Sequence, residues 1–195
     1  MIVNEDFIWL HMPRTGGTST TSAIRNWLLS CSAYPTLSKV QVDSDESNLK
    51  HDNLLTREMR VGPRPKSARI CMNMRSLDSW LISNWKWANV QGFKVPLKRY
   101  QQGEFFSWKL GQWCAADWWL KYMEWENITD FFWLDNLEAD WSKFLLELYP
   151  EAPQIQMNRL NDLGKSPMAP LFEGARERNP IWTALQERLS PPAAS

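Results

Sequence analysis

Paired cysteines and long apolar runs are missing from this sequence. The three cysteines, Cys31, Cys71 and Cys114, are an odd number without C-x-x-C spacing, which argues against both a disulfide framework and a zinc site. No run approaches the roughly 18 apolar residues of a membrane span, and no basic-then-apolar signal precedes the first apolar run. We therefore expect no membrane span, and either a reducing, cytoplasmic compartment or a piece of a longer protein.

The chain also lacks net charge, since 22 Lys and Arg balance 22 Asp and Glu. This balance makes a general polyanion binder improbable, and we expect no nucleic-acid partner. Residues 57–75 are an exception, with six basic residues against the single acid Glu58. Such a segment either attracts an anion or is an ordinary solvated loop, which is the commoner fate of a charge run.

What is present is typical of a globular protein. The 195 residues are 44% hydrophobic and 23% charged, a length and composition that allow one domain with a substantial core. We expect a single domain over residues 1–195, with residues 190–195 as a disordered tail.

Apolar runs alternate with helical stripes along most of the chain. We predict buried strands at Asp6–His11, Ala68–Met74 and Asp130–Leu134, because each is a short apolar run. Helical spacing follows each run, in residues 19–31, in the stripe Leu77, Leu81, Trp85, Ala88 and in the stripe Leu137, Trp141, Leu145, Leu148. This alternation predicts an α/β fold with a mostly parallel central sheet flanked by helices, and ligands at the carboxyl ends of the strands.

The intervening segments are less clearly patterned. We predict a short strand at Lys39–Val42 and a helix around Asn53–Met59, a loop over Gln91–Gln102, and a helix over Gln112–Trp125.

The segment FIWLHMPRTGGTST, residues 7–20, joins the first strand to the first helix. In a phosphate-binding loop at such a junction, backbone N–H groups and the helix N-terminus point at the anion, and glycines allow close approach. The lysine that a nucleotide-triphosphate loop places before its Ser or Thr is missing. Two adjacent glycines alone indicate no more than a plain turn.

The whole string is more specific than its glycines. It resembles the 5′-phosphosulfate loop of the sulfotransferases that use 3′-phosphoadenosine-5′-phosphosulfate (PAPS), particularly the carbohydrate branch. In that family an apolar strand runs into His-x-Pro-Lys-Thr-Gly-Gly-Thr-Ser, and Arg14 stands here in place of the usual Lys.

A second string, RICMNMRSLDSWLISNW, resembles the family's 3′-phosphate site, an Arg at a strand end and a Ser eight positions later. Arg75 and Ser83 occupy those places. Arg offers a bidentate fork to a phosphate, and a serine two turns into the helix can face back toward the strand end. The chain departs from the family at Ser76-Leu77, where the family often has Asp-Pro, and at Trp80, where it often has a further Arg.

A third string, FFWLDNLEADW, resembles the family's strand that ends in Glu-Asn-Leu, with Asp135 in place of Glu. Asp135 has two other interpretations. It could cap the next helix, with Glu138 three residues on, or it could hold magnesium in a kinase. The resemblance extends over roughly residues 7–165.

The resemblance implies a P-loop-like three-layer α/β fold and transfer of a sulfuryl group from PAPS to a hydroxyl acceptor, a small molecule or a glycan, without a metal and with PAP as product. It implies a catalytic role for Arg14 at the departing oxygen. The residues implied to bind PAPS are Arg14, Thr15, Gly16, Gly17, Thr18, Ser19, Arg75 and Ser83.

The acceptor hydroxyl requires a base, and the chain contains two histidines. His51 lies 24 residues before Arg75, close to the spacing of the catalytic His in the resembling carbohydrate enzymes. We therefore favour His51 over a carboxylate or His11, in line with the general use of His as base. His11 ends the first strand, where a structural role in orienting the loop is expected.

Thirteen tryptophans are many for this length. Core packing accounts for some, while Trp85, Trp87, Trp108, Trp113, Trp118 and Trp119 could include an aromatic wall for the acceptor. Two other functions stay open, a P-loop nucleotide kinase or NTPase and a non-catalytic module that binds PAP or PAPS.

Overall fold

The computed structural model describes residues 1–31, 41–42, 50–158 and 170–189. Its contacts divide the chain into two compact units. The first unit consists of the described residues of Met1–Met74 and Met123–Asp162, and the second of those of Arg75–Tyr122 and Leu163–Ser195. The expectation of a single domain over residues 1–195 stays a prediction.

Strands and helices alternate along the chain, as an α/β fold requires. The strands are β1 (Ile2–Val3), β2 (Phe7–Leu10), β3 (Gln41–Val42), β4 (Arg69–Met74), β5 (Glu104–Ser107), β6 (Gln112–Ala115) and β7 (Asp130–Trp133). The helices are α1 (Gly17–Ser30), α2 (Leu54–Val61), α3 (Leu77–Val90), α4 (Leu97–Gln101), α5 (Asp117–Tyr122), α6 (Leu137–Leu148) and α7 (Pro180–Leu189).

The sheet of the first unit has the strand order β3-β1-β2-β4-β7. Strands β2, β4 and β7 are mutually parallel, whereas β1 is antiparallel to both β2 and β3. The sheet is therefore mixed, not largely parallel as predicted. The reason is the tight turn after β1, where Asn4 Oδ1 accepts hydrogen bonds of 2.7 Å from the backbone N–H groups of Asp6 and Phe7 and reverses the chain.

The core of the first unit follows the predicted apolar pattern. All four residues of β2 are buried, as are Ile24 and Trp27 of α1 and Trp141 and Leu145 of α6. Full burial of one such apolar side chain contributes about 1.5–3 kcal/mol to folding. The strands and helices predicted around residues 6–31, 68–88 and 130–148 are thus confirmed to within a few residues.

Two predictions in the second unit are wrong. The segment predicted as a helix over Gln112–Trp125 begins with β6, which pairs antiparallel with β5 in the register Phe105↔Cys114 and Phe106↔Trp113. The helix α5 occupies only Asp117–Tyr122. The predicted loop Gln91–Gln102 contains the short helix α4. Both errors arise where cross-strand or tertiary packing outweighs a weak local pattern.

Helix α7 was not predicted, and its N-terminus depends on a residue distant in sequence. The Asp117 carboxylate accepts hydrogen bonds of 2.8 Å from the backbone N–H groups of Ile181 and Trp182. Burial raises the pKa of this carboxyl, while the two N–H donors oppose that shift. Satisfying the first amides of a helix in this way stabilises its start.

Two sequence predictions reach beyond the described residues. The strand predicted at Lys39–Val42 is described only as Gln41–Val42, and the tail at 190–195 lies outside the described part of the chain. Among the helices of the described residues, none is long and apolar enough to cross a bilayer.

Candidate functional site

The loop between β2 and α1 contains two residues in the left-handed backbone region. Gly16 has φ 81° and Arg14 has φ 64°, a conformation that costs a non-glycine residue about 1–3 kcal/mol. Residues in this region, set among right-handed neighbours, can turn successive backbone N–H groups toward one concavity. The loop geometry thus suits an anion.

Helix α1 begins directly after this loop without a side-chain cap. Its N-cap is Gly16, which has no side chain to accept from the first helical N–H groups, and its first turn has no acidic residue. The first amides of any helix lack intrahelical acceptors and are the positive end of the helix dipole. Such an N-terminus is complementary to a phosphate or sulfate group.

Both glycines of the loop are required by their neighbours. A Cβ at Gly17 would lie 1.7 Å from Nε2 of His11, and a Cβ at Gly16 would lie 2.8 Å from Cδ1 of Leu134. The His11 ring therefore lies against the first residue of α1, in the space that any other side chain at position 17 would occupy.

His11 is buried beneath the loop. It is 4% exposed and its ring stacks on Trp9 with centroids 4.9 Å apart. Among the described residues its Nδ1 has no hydrogen-bond partner. Burial first, and then the charges of His51, the N-terminus and Lys50, lower its pKa well below the usual value. A neutral ring in this place supports the expected role of His11 in orienting the loop.

His51 lies beside His11, with ring centroids 4.7 Å apart. Its Nδ1 is 2.8 Å from the backbone carbonyl oxygen of His11. Because a carbonyl oxygen only accepts, Nδ1 must carry the proton and donate it. The neutral ring then has its lone pair on Nε2, the nitrogen that can accept a further proton.

The segment that follows His51 is anchored to α2. Asp52, 8% exposed, forms an ion pair with Arg60 of α2, and Asn53 Oδ1 caps the helix by accepting from the backbone N–H of Thr56 at 2.8 Å. The backbone that follows His51 is thus fixed to α2. The His51 side chain is fixed to the backbone of His11, the residue directly after β2.

The loop side chains differ in their surroundings. Burial lowers the pKa of the Arg14 guanidinium, which still stays protonated because arginine does not lose its proton in proteins. The Thr15 hydroxyl is buried and donates to the Met12 carbonyl oxygen at 2.8 Å. Thr18 is half-buried and Ser19 is buried. Contact of Thr15 with an anion would therefore come from its backbone.

Arg75 and Ser83 belong to the second unit. The Arg75 guanidinium donates to Ser79 Oγ, with Nε at 2.9 Å, and its backbone carbonyl accepts from Trp182 Nε1 at 3.0 Å. Ser79 and Ser83 are four residues apart in α3, so they lie on one face of the helix. The guanidinium is thereby held over the face that also carries Ser83.

Three of the six basic residues in segment 57–75 form ion pairs. Arg60 pairs with Asp52 and Arg64 with Glu58, while Arg69 contacts both Asp130 and Glu147. These pairs favour a structural interpretation of the charge run over an anion-attracting one.

The capping role considered for Asp135 is wrong. The N-cap of α6 is Asn136, without a side-chain hydrogen bond to the helix. Asp135 is exposed on the turn before it, and Glu138 instead accepts from the backbone N–H of Met157 at 2.8 Å. The carboxylate that binds the end of β7 is that of Asp140, whose Oδ2 accepts a hydrogen bond from the Trp133 N–H at 2.7 Å.

The tryptophans of the second unit divide between core and surface. Trp80 is fully buried, whereas Trp108 is 40% exposed and stacks on Phe93 with centroids 3.7 Å apart. Trp113 lies under the Arg99 guanidinium. A continuous aromatic wall for an acceptor stays a prediction.

Two of the contacts that sequence reasoning missed involve residues outside the predicted site. Ser79 holds Arg75, and Asn73 of β4 donates to the Thr15 carbonyl oxygen at 3.1 Å. The i, i+4 spacing of Arg75 and Ser79 could have suggested the first. Asn73 carries no motif, although a buried amide within an otherwise apolar strand is itself unusual.

The chain was also compared with known proteins. Neither the protein-family models nor the curated proteins gave a match.

Proposed function

We propose that this protein is a PAPS-dependent sulfotransferase that moves a sulfuryl group to a hydroxyl of a carbohydrate. The observation that carries the proposal is the β2–α1 junction, where an uncapped helix N-terminus, Gly17 and the buried His11 fit together. The resemblance of this segment and of the Arg75–Ser83 segment to that family is the reason for proposing PAPS as the bound anion. A three-layer P-loop-like architecture is part of the proposal.

In this proposal the loop binds the 5′-phosphosulfate. Its backbone N–H groups and the α1 N-terminus face the anion, and Arg14 adds a fixed positive charge. As the bond between sulfur and the bridging oxygen breaks, negative charge grows on that oxygen, and Arg14 stabilises it. Arg14 cannot act as a general acid, because its pKa is too high even after the lowering by burial.

His51 acts as the base. The acceptor oxygen forms its bond to sulfur in line with the breaking bond, as in phosphoryl transfer, and the acceptor proton passes to Nε2 of His51. The hydrogen bond from His51 Nδ1 to the His11 carbonyl fixes the required tautomer. PAP is the product that leaves with the bridging oxygen.

The 3′-phosphate contacts are proposed for Arg75 and Ser83. Ser79 holds the Arg75 guanidinium on the face of α3 that carries Ser83, which favours these two residues acting together. A cytoplasmic location is also part of the proposal, since all three cysteines are free thiols and a reducing compartment keeps them so.

A thermal-shift titration tests the nucleotide. PAP should raise the melting temperature without magnesium, because backbone amides and arginines provide the countercharge that a kinase takes from its metal. At about 100 times its dissociation constant, PAP should add about 2.7 kcal/mol to the free energy of unfolding.

The competing functions give different results in the same titration. Stabilisation by ATP with magnesium and none by PAP would contradict the sulfotransferase and favour a kinase. Stabilisation by PAP, together with no transfer of sulfate from PAPS to any of a panel of mono- and oligosaccharides, would favour a non-catalytic binding module.

Arg75→Ala should discriminate between nucleotides with and without a 3′-phosphate. Loss of a bidentate charged contact should weaken PAP binding by about 1.5–3 kcal/mol and leave adenosine-5′-phosphosulfate nearly unaffected. Isothermal titration of both ligands measures the difference, with Arg176→Ala, an exposed arginine of the second unit, as the control. Equal weakening of both ligands would mean that Arg75 does not contact the 3′-phosphate.

A further inference from the structure

Asn73 is a fully buried amide one residue before the carboxyl end of β4. Its Oδ1 accepts from the indole N–H groups of Trp9 at 3.0 Å and Trp141 at 3.3 Å. Its Nδ2 donates to the Thr15 carbonyl oxygen at 3.1 Å and to Thr20 Oγ1 at 2.8 Å. The two donors and two lone pairs of the amide are all used.

Chemistry fixes the orientation of this amide. An indole N–H can only donate, so the atom facing Trp9 and Trp141 must be the oxygen. A backbone carbonyl can only accept, so the atom facing Thr15 must be the nitrogen.

The bond to Thr15 determines the direction of the next amide. In a planar trans peptide the C=O and N–H bonds point in opposite directions. Because Asn73 holds the Thr15 carbonyl toward β4, the N–H of Gly16 points away from Asn73. Gly16 is also the N-cap of α1, so this amide adjoins the first amides of the helix.

Asn73 also holds the start of α1. Thr20 accepts from Nδ2 and its backbone N–H donates to the Gly16 carbonyl oxygen at 3.0 Å. The Asn73 side chain thus binds both Thr15, the residue before the N-cap, and Thr20, in the first turn of the helix. On the other side it is held by two buried tryptophans, one from β2 and one from α6.

We propose that Asn73 is the positioning residue of the anion-binding loop, which sets the Gly16 N–H toward the 5′-phosphosulfate without touching it. The inference rests on the proposed function for the identity of the ligand. The fixing of the Gly16 amide by Asn73 is a property of the protein without ligand. An amide that is fixed before binding gives up less conformational freedom when the anion arrives.

The test compares Asn73→Leu with Trp141→Phe. Leucine has a similar shape and removes all four hydrogen bonds, whereas Trp141→Phe disturbs the same core and removes only one N–H donor to Oδ1. Both variants should melt at lower temperature, and measurements are made where both are folded. Should Asn73→Leu fail to fold, Asn73→Ser takes its place, because its short hydroxyl cannot reach both Thr15 and the indoles.

The first readout is the ¹⁵N order parameter of the Gly16 amide in ligand-free protein. It should be near 0.85 in the wild type and in Trp141→Phe, and should fall below about 0.6 in Asn73→Leu. An unchanged value in Asn73→Leu overturns the inference.

The second readout is the affinity for PAP relative to adenosine 3′-phosphate, which lacks the 5′ group. Asn73→Leu should weaken PAP about 10- to 100-fold, the order expected for the loss of one hydrogen bond to a charged group, and should leave adenosine 3′-phosphate unchanged. Equal losses in Asn73→Leu and Trp141→Phe would show a purely structural role and overturn the inference. If the wild type binds no PAP, the proposed function fails, and the Gly16 order parameter alone decides the role of Asn73.

Discussion

The His51→Asn and His51→Ala variants should both lose turnover by about 10²–10⁴-fold, the usual contribution of a positioned base. Affinity for PAP should stay nearly unchanged, because His51 contacts no phosphate in the proposed site. Asparagine is the more informative change. Its amide nitrogen can replace Nδ1 as donor to the His11 carbonyl, yet it has no basic nitrogen. Steady-state kinetics with PAPS and a saccharide acceptor measure the loss.

The pH–rate profile provides an independent readout of the same base. Protonated imidazole cannot accept the hydroxyl proton, so the wild-type rate should fall as the pH is lowered through the titration of the base. The residual activity of His51→Asn should not show this fall in rate at low pH. Wild-type turnover in His51→Asn, or an unchanged fall in rate, would assign the base to another residue and leave the nucleotide site intact.

His11→Ala serves as the control for His51. Its ring lies against Gly17 and Trp9, so its loss should lower stability and PAP affinity together. Loss of turnover in His11→Ala with wild-type PAP affinity would contradict the structural role given to His11.

Gly17→Ala should lower the free energy of unfolding by about 3 kcal/mol, the upper end of the range for overpacked sites. The added Cβ would lie 1.7 Å from Nε2 and 2.2 Å from Cδ2 of His11, and the ring cannot retreat toward Trp9, on which it stacks. The direction of the change is diagnostic. Replacing a helical glycine by alanine normally stabilises the helix, so a loss of stability here would point to the clash. Displacement of the α1 start should weaken PAP as well. Chemical denaturation and PAP titration measure the two effects.

A double-mutant cycle identifies the clash as the cause. In the His11→Ala background the ring is absent, so Gly17→Ala should cost little or should stabilise the protein. Gly92→Ala isolates the other possible cause of a glycine requirement: nothing lies within 4 Å of its added Cβ, but its φ is 85°, so any cost there comes from backbone strain without a clash. An equal cost of Gly17→Ala with and without the His11 ring would show that the close approach is not responsible.

The elements predicted correctly from sequence have strong and regular apolar patterns. Strand β2 is buried throughout, and α1 and α6 bury residues spaced by three and four, so local periodicity suffices to identify them. The hairpin β5–β6 was missed because the short, partly exposed segment Gln112–Ala115 acquires its conformation from a partner strand. Cross-strand pairing is not encoded in the segment alone.

Of the candidate site, the sequence alone determined the loop and the residue types within it. The order strand, Pro-Arg-Thr-Gly-Gly-Thr, helix is local, and local chemistry fixes where glycine freedom and a helix N-terminus occur. The tertiary structure alone decided that His51 donates to the His11 carbonyl, that Gly17 makes room for the His11 ring and that Asn73 holds Thr15. These contacts join residues 40, 6 and 58 positions apart. The Asn73–Thr15 contact forms only because β2 and β4 lie side by side in the sheet, since burial leaves a polar group few partners and the sheet register selects among them.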